Sequence, residues 1–268
     1  MGEPGEEAHV DVNVDRPGPI GQAVDGLRAA IGFLTRVPVG APRVVMGHAA
    51  PWFPFVGLLI GLAQGGLYLG LRELLPPLPS AVVAVAAAAL VTGAFHHDGL
   101  ADMADAFGGG WTVEQRLTIM KDSRLGTYGT SALILAFATE ISALSALDPM
   151  DGLIALVVAH TLSRSTAVLM MRHAPPAGSG LGAAYAADLR PVHAYASVLF
   201  GIVVTVVAYR SGPEVIPAVL IAVAVTGSAV VALSIRKIGG ITGDVLGAVQ
   251  QMSALAVLLV AASAAHLG

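Results

Sequence analysis

An all-α, polytopic membrane bundle is the fold predicted by three features of this sequence. Of its 268 residues, 55% are hydrophobic and 12% charged, with a mean hydropathy of +0.76, whereas soluble domains carry about 25% charged residues. Its apolar residues fall into separate stretches near the ~20 residues that a crossing helix needs. Its Lys and Arg residues are confined almost wholly to alternate connections between those stretches. The absence of cysteine excludes disulfides, thiolate zinc sites, iron–sulfur clusters and a cysteine nucleophile. A net charge of −4 leaves no nucleic-acid-binding footprint.

Residues 1–27 are acidic and rich in Gly and Pro (Glu3, Glu6, Glu7, Asp11, Asp15, Asp25). They lack the basic start and apolar core of a signal peptide and are expected to be a disordered extension. Residues 28–268 then form one transmembrane domain. Ala29–Val39 is apolar but short, interrupted by Arg36 and Pro38, and fits an interfacial or re-entrant segment. About seven crossing helices follow: Trp52–Leu71, Ser80–Phe95, Thr130–Leu147, Gly152–Met171, Ala194–Tyr209, Glu214–Ile235 and Val245–Leu267. Helices are expected because backbone groups in lipid must be satisfied within the segment. Gly57, Gly61 and Gly65 make a small-residue face suited to close packing inside the bundle, though a homo-oligomer contact is also open to it.

With the N-terminus in the cytoplasm, one side receives Arg16, Arg28, Arg36, Arg43, Arg116, Lys121, Arg124, Arg172, Arg190, Arg236 and Lys237. The other receives Arg72 and Arg210, and Arg164 lies within a span. Positive residues concentrate on the cytoplasmic side, so the connection 96–129 faces the cytoplasm.

That connection holds His96-His97-Asp98, Asp102 and Asp105, then three glycines, and later Lys121-Asp122-Ser123-Arg124 with Gly126 and Gly129. Carboxylates at i, i+4 and i+7 occupy an arc of about 60° on a helix. Like charges so stacked repel, and no Lys or Arg lies between Asp98 and Asp105. One explanation is a solvated acidic face. The preceding apolar span, the interleaved Ala and Leu and the glycines favour a divalent-cation site. Oxygen ligands without cysteine indicate Mg²⁺ or Mn²⁺, and Mg²⁺ typically joins one or two carboxylates to substrate phosphates. Lys121, Arg124 and the two glycines then offer phosphate donors, and one histidine can serve as a base. Within the spans, Glu140, His160 and Arg164 require partners or a cavity. The glycine-rich turn at 239–243 with Asp244 is either a re-entry turn or a source of one more oxygen ligand.

At these residues the chain resembles the cobalamin synthase family, adenosylcobinamide-GDP ribazoletransferase. The similar blocks are Phe33–Val39, Phe53–Gly61, Thr92–Asp105, Lys121–Gly129, Ser163-Arg164 and Gly240–Asp244. The resemblance implies a multi-pass enzyme of the bacterial cytoplasmic membrane, dependent on Mg²⁺. It would join adenosylcobinamide-GDP to α-ribazole, or to its 5′-phosphate, and release GMP. Carried onto this sequence, it makes His96, Asp98, Asp102 and Asp105 catalytic. Metal would be held by Asp98, Asp102, Asp105 and Asp122, with Asp244 as an additional candidate. Lys121, Arg124 and Arg164 would bind substrate phosphate. His97 stands where the family usually has an apolar residue, and Glu140 receives no catalytic role. Two other classes compete. A CDP-alcohol phosphatidyltransferase would place Arg where Asp102 stands, and a cation-coupled transporter would use Glu140, His160 and Arg164.

Overall fold

The computed structural model describes residues 18–40, 46–177 and 188–267; Arg16, Arg43 and most of the acidic tail lie outside these residues. Each of the seven apolar stretches is helical. Several helices carry proline at their first or second residue, where its fixed φ and missing N–H suit a first turn. They include α3 (Phe53–Leu71), α4 (Pro77–Thr92), α8 (Pro149–His173) and α9 (Pro191–Ala208). Their neighbours are α7 (Thr127–Ser145), α10 (Val215–Ile238) and α11 (Gly243–Leu267). Left-handed glycines at Gly93 and Gly239 follow α4 and α10, where only glycine is free of a Cβ penalty.

Five helical runs are long and apolar enough to cross a membrane: Gly47–Leu71, Pro149–His173, Pro191–Ala208, Val215–Ile238 and Gly243–Leu267. A sixth is added if α4 and its bent continuation count as one span. The seventh expected span, α7, is helical over 19 residues, but Thr127, Thr130, Ser131, Thr139, Glu140, Ser142 and Ser145 dilute its apolar character. Ahead of these lies α1 (Pro19–Leu34), which begins inside the stretch read as an extension. Arg28 donates to the carbonyls of Val39 and Gly40, folding the chain back after α1. The short α2 (Met46–Ala49) and a 3₁₀ turn lead into α3.

Two helices form the centre. The apolar windows of α8 and α11 are 78% and 72% buried, against 22% in α9 and 33% in α10. The outer helices expose Leu59, Leu62, Val83, Ile134, Leu199, Val203, Ile221 and Val225, a girdle that water would not tolerate and lipid does. The small-residue face packs inside the molecule, because a methyl group on Gly61 would lie 2.7 Å from the Leu156 carbonyl oxygen and one on Gly65 2.8 Å from the Leu153 Cα. Gly57 meets His160 in the same way, so α3 and α8 run antiparallel.

This packing sorts the two ends of the bundle. At one end, Ile241 forms a parallel bridge with Pro176: its carbonyl accepts from the Ala177 N–H (2.9 Å), and its N–H donates to the Pro175 carbonyl (2.8 Å). Arg116, on α6 (Val113–Ile119), donates to the Lys237 carbonyl at the end of α10. At the other end, Arg72 donates to the Leu147 carbonyl, and the Tyr68 hydroxyl donates to the Leu144 carbonyl (2.8 Å). Every described Lys and Arg except Arg72, Arg210 and the buried Arg164 belongs to the first end.

Candidate active site

The site is built by a sharp turn. Gly93 and Ala94 both adopt left-handed backbone (φ +63° and +54°), and the chain bends by 88° from α4 into α5 (Phe95–Gly109). The helix α5 therefore runs across the end of the bundle, between α7 and α11. Gly99 permits the close approach to α11: a Cβ there would lie 2.9 Å from the Asp244 carbonyl oxygen. Asp98 is exposed, Asp102 half-buried and Asp105 buried. At 100° per residue, His96 lies about 160° around α5 from Asp98. It is buried and faces a cavity below α5, so one helix cannot present His96 and Asp98 to the same ligand. His97 turns toward α7, where its ring stacks on Phe137 at 4.3 Å.

The three aspartates of α5 divide by role. Asp105 accepts hydrogen bonds from the backbone N–H groups of Gly126 (2.7 Å) and Gly129 (2.8 Å). It thereby caps the start of α7 with a charge placed where the helix dipole favours it. The glycine amides read from sequence as phosphate donors are committed to this carboxylate. Asp98 and Asp102 instead join Asp244, in the first turn of α11. Asp98, Asp105 and Asp244 all bear electrostatically on Asp102, and Asp98 on Asp244. Among the described residues no Lys or Arg forms an ion pair with Asp98, Asp102 or Asp244. The Thr242 hydroxyl, which accepts from the Val245 N–H, donates to Asp244.

The remaining candidates sit elsewhere. Asp122 is paired with Arg124 at 2.6 Å on an exposed loop. Hydrogen bonds from the Arg124 side chain hold the Asp122 carboxyl below the usual 3.8. Lys121 is exposed. Arg164 is only 2% exposed and lines the cavity beneath α5 together with His96, His97, Glu140, His160 and Gln250. It does not share a surface with Lys121 and Arg124.

A hard divalent cation suits the acidic face by donor chemistry: it offers carboxylate oxygens with no protein cation to neutralise them. No three His, Asp or Glu side chains among the described residues converge closely enough to hold a metal unaided. Sequence reasoning noted that Glu140, His160 and Arg164 need partners or a cavity but overlooked the glutamines that complete this polar cluster: Gln250 and Gln251, which line the cavity, and Gln64, which bonds to Glu140 and His160. Their signal was in the sequence, as polar side chains within apolar runs that a lipid-facing helix would not carry.

The cobalamin-5-phosphate synthase family matches residues 26–262. An adenosylcobinamide-GDP ribazoletransferase of Bradyrhizobium diazoefficiens is 41% identical over 251 residues, covering 91% of this chain and 95% of the relative. One from Sinorhizobium sp is 39% identical over 254 residues (90% and 97%), and one from Ralstonia pickettii 37% over 240 (87% and 93%). No solved structure matches. With the match running from within α1 to the last helix, and through the acidic helix, this chain belongs to the cobalamin-5-phosphate synthase family and is a transferase.

Proposed function

We propose that the chain transfers the phosphocobinamide group of adenosylcobinamide-GDP to a ribose hydroxyl of α-ribazole, or of its 5′-phosphate, with release of GMP. The reaction takes place at the cytoplasmic face of a bacterial membrane, with Mg²⁺ as cofactor. The observation that carries this reading is the acidic face of Asp98, Asp102 and Asp244, without a Lys or Arg partner among the described residues. It lies at the end of the bundle rich in Lys and Arg, which the positive-inside rule puts in the cytoplasm. The names of the relatives, adenosylcobinamide-GDP ribazoletransferases, support the substrates.

The hydroxyl oxygen attacks the phosphorus bonded to cobinamide. The new P–O bond forms as the pyrophosphate bond breaks, and its electron pair leaves with GMP. Carboxylates from the set Asp98, Asp102 and Asp244, together with substrate phosphate oxygens, would hold Mg²⁺, and the ion would supply neutralisation of the charge on the leaving group. The hydroxyl proton passes to a carboxylate of this face, since His96 points away from it. Lys121 and the donors of Arg124 not engaged by Asp122 bind phosphate, while Arg164 stays below the helix. The groups that suggested a transporter, Glu140, His160 and Arg164, are bonded into one internal network, which removes the motive for that reading.

The test is GMP release by membranes supplied with both substrates. Asp98→Asn and Asp102→Asn should each lower it by about 100-fold or more, since several kcal/mol of charge stabilisation is lost. Chelation should abolish release and Mg²⁺ restore it, and a CDP-alcohol should not turn over. Normal release by both variants would overturn the assignment.

A further inference from the structure

Beneath the acidic helix, a chain of polar side chains crosses four helices inside the membrane. Arg164 donates from Nη1 to His160 Nδ1 (3.0 Å) and to the His160 carbonyl (3.0 Å). A guanidinium has no acceptor, so His160 Nδ1 carries no proton and its Nε2–H donates to Gln64 Oε1 (2.6 Å). That fixes the Gln64 amide, whose Nε2 donates to Glu140 Oε1 at 3.3 Å. The other oxygen, Glu140 Oε2, lies 3.7 Å from His97 Nε2. Each link determines the polarity of the next, from a buried cation on α8, through α3, to a buried carboxylate on α7 and an imidazole on α5. Two charges that lipid would reject are balanced through two neutral groups. A cavity of about 30 Å³ adjoins His97, Glu140 and Arg164, room for a bridging water.

The terminus of this chain matters because of where it grips α5. His97 lies about 100° from Asp98 on one side of the helix and Gly99 about 100° on the other. Gly99 is pressed against Asp244 and Gly247 of α11, and His97 is held between Phe137 and Glu140 of α7. Two fixed flanks leave Asp98 one direction, outward.

We propose that Glu140 is a positioning residue: acting through His97, and charge-balanced by Arg164 through His160 and Gln64, it sets the rotation of α5 that presents Asp98 and Asp102 to substrate. Its effect on turnover rests on the transferase reading above, whereas its effect on α5 does not.

The experiment uses the full-length protein in detergent. Glu140→Gln keeps an acceptor for Gln64 but removes the charge facing His97. Groups coupled through such contacts should lower kcat by about tenfold with KM changed less than about twofold. Hydrogen exchange should rise at residues 95–100 with the unfolding midpoint unchanged. The His97→Gln/Glu140→Gln double variant should be no slower than either single one. The proposal is overturned if folded Glu140→Gln exchanges at 95–100 like the parent, if the two effects multiply, or if only the unfolding midpoint falls. A parent protein that releases no GMP would defeat the transferase reading instead, and exchange at 95–100 would still decide this one.

Discussion

Asp98 and Asp105 carry the same side chain seven residues apart on one helix, and the structure gives them different tasks. Both Asp105 oxygens accept backbone N–H groups at the start of α7. Hydrogen bonds to a charged group are worth ~1.5–3 kcal/mol each, so Asp105→Ala should lower the unfolding midpoint of the solubilised protein markedly. Asp98→Asn should leave that midpoint in place while GMP release collapses. If both variants unfold alike, the division of roles fails. On the exposed loop, Asp122 is held below the ordinary carboxylate value of 3.8 by its hydrogen bonds with Arg124. A depressed carboxyl contributes fully above its unfolded value, and the contribution fades as pH falls through the lower folded one. The Asp122–Arg124 pair should therefore persist to below about pH 4. In Arg124→Gln, the Asp122 carboxyl titration followed by NMR should move up toward the ordinary value.

At the scale of elements, two contacts decide how the helices meet. The α3–α8 seam has no room for a methyl group at Gly61, whereas Gly66, on the outer face of α3, meets nothing within 4 Å. Gly61→Ala should cost about 1–3 kcal/mol through overpacking, and Gly66→Ala should be neutral or slightly stabilising through helix propensity. Thermal unfolding of the two variants makes the comparison, and equal shifts would contradict the seam. The α4–α5 turn depends on left-handed backbone at two successive residues. Ala94 bears that strain with a Cβ, so Ala94→Gly should be tolerated without loss of activity. Gly93→Ala adds a Cβ against the Arg36 side chain and should misdirect α5, seen as lost GMP release.

For the whole molecule the question is which end faces the cytoplasm. Because the chain has no cysteine, a single introduced thiol reports its own side. Glu114→Cys, exposed on α6, should react with an impermeant reagent only in inside-out vesicles. Ser211→Cys, exposed at the opposite end, should react only in right-side-out vesicles. The reverse pattern would turn the bundle over and place the acidic face outside the cytoplasm.

The helical membrane fold was legible in the sequence because each span is a local property: about 20 apolar residues, bounded by proline or glycine, must become helix in lipid. All seven stretches appear as helices within a few residues of their expected bounds. That the acidic segment and the 121–129 segment share one connection was legible for the same reason, and Asp105 ties the two together through Gly126 and Gly129. Rotation and partnership were not. Sequence spacing places Asp98, Asp102 and Asp105 on one face, yet it cannot say that α7 brings its two amides to Asp105 while α11 brings Asp244 to the others. Nor could it tell that Glu140 and Arg164, 24 residues apart, balance each other through Gln64 and His160. Those assignments depend on which helices touch, and that was decided by small residues such as Gly61 and Gly99 letting particular backbones come close.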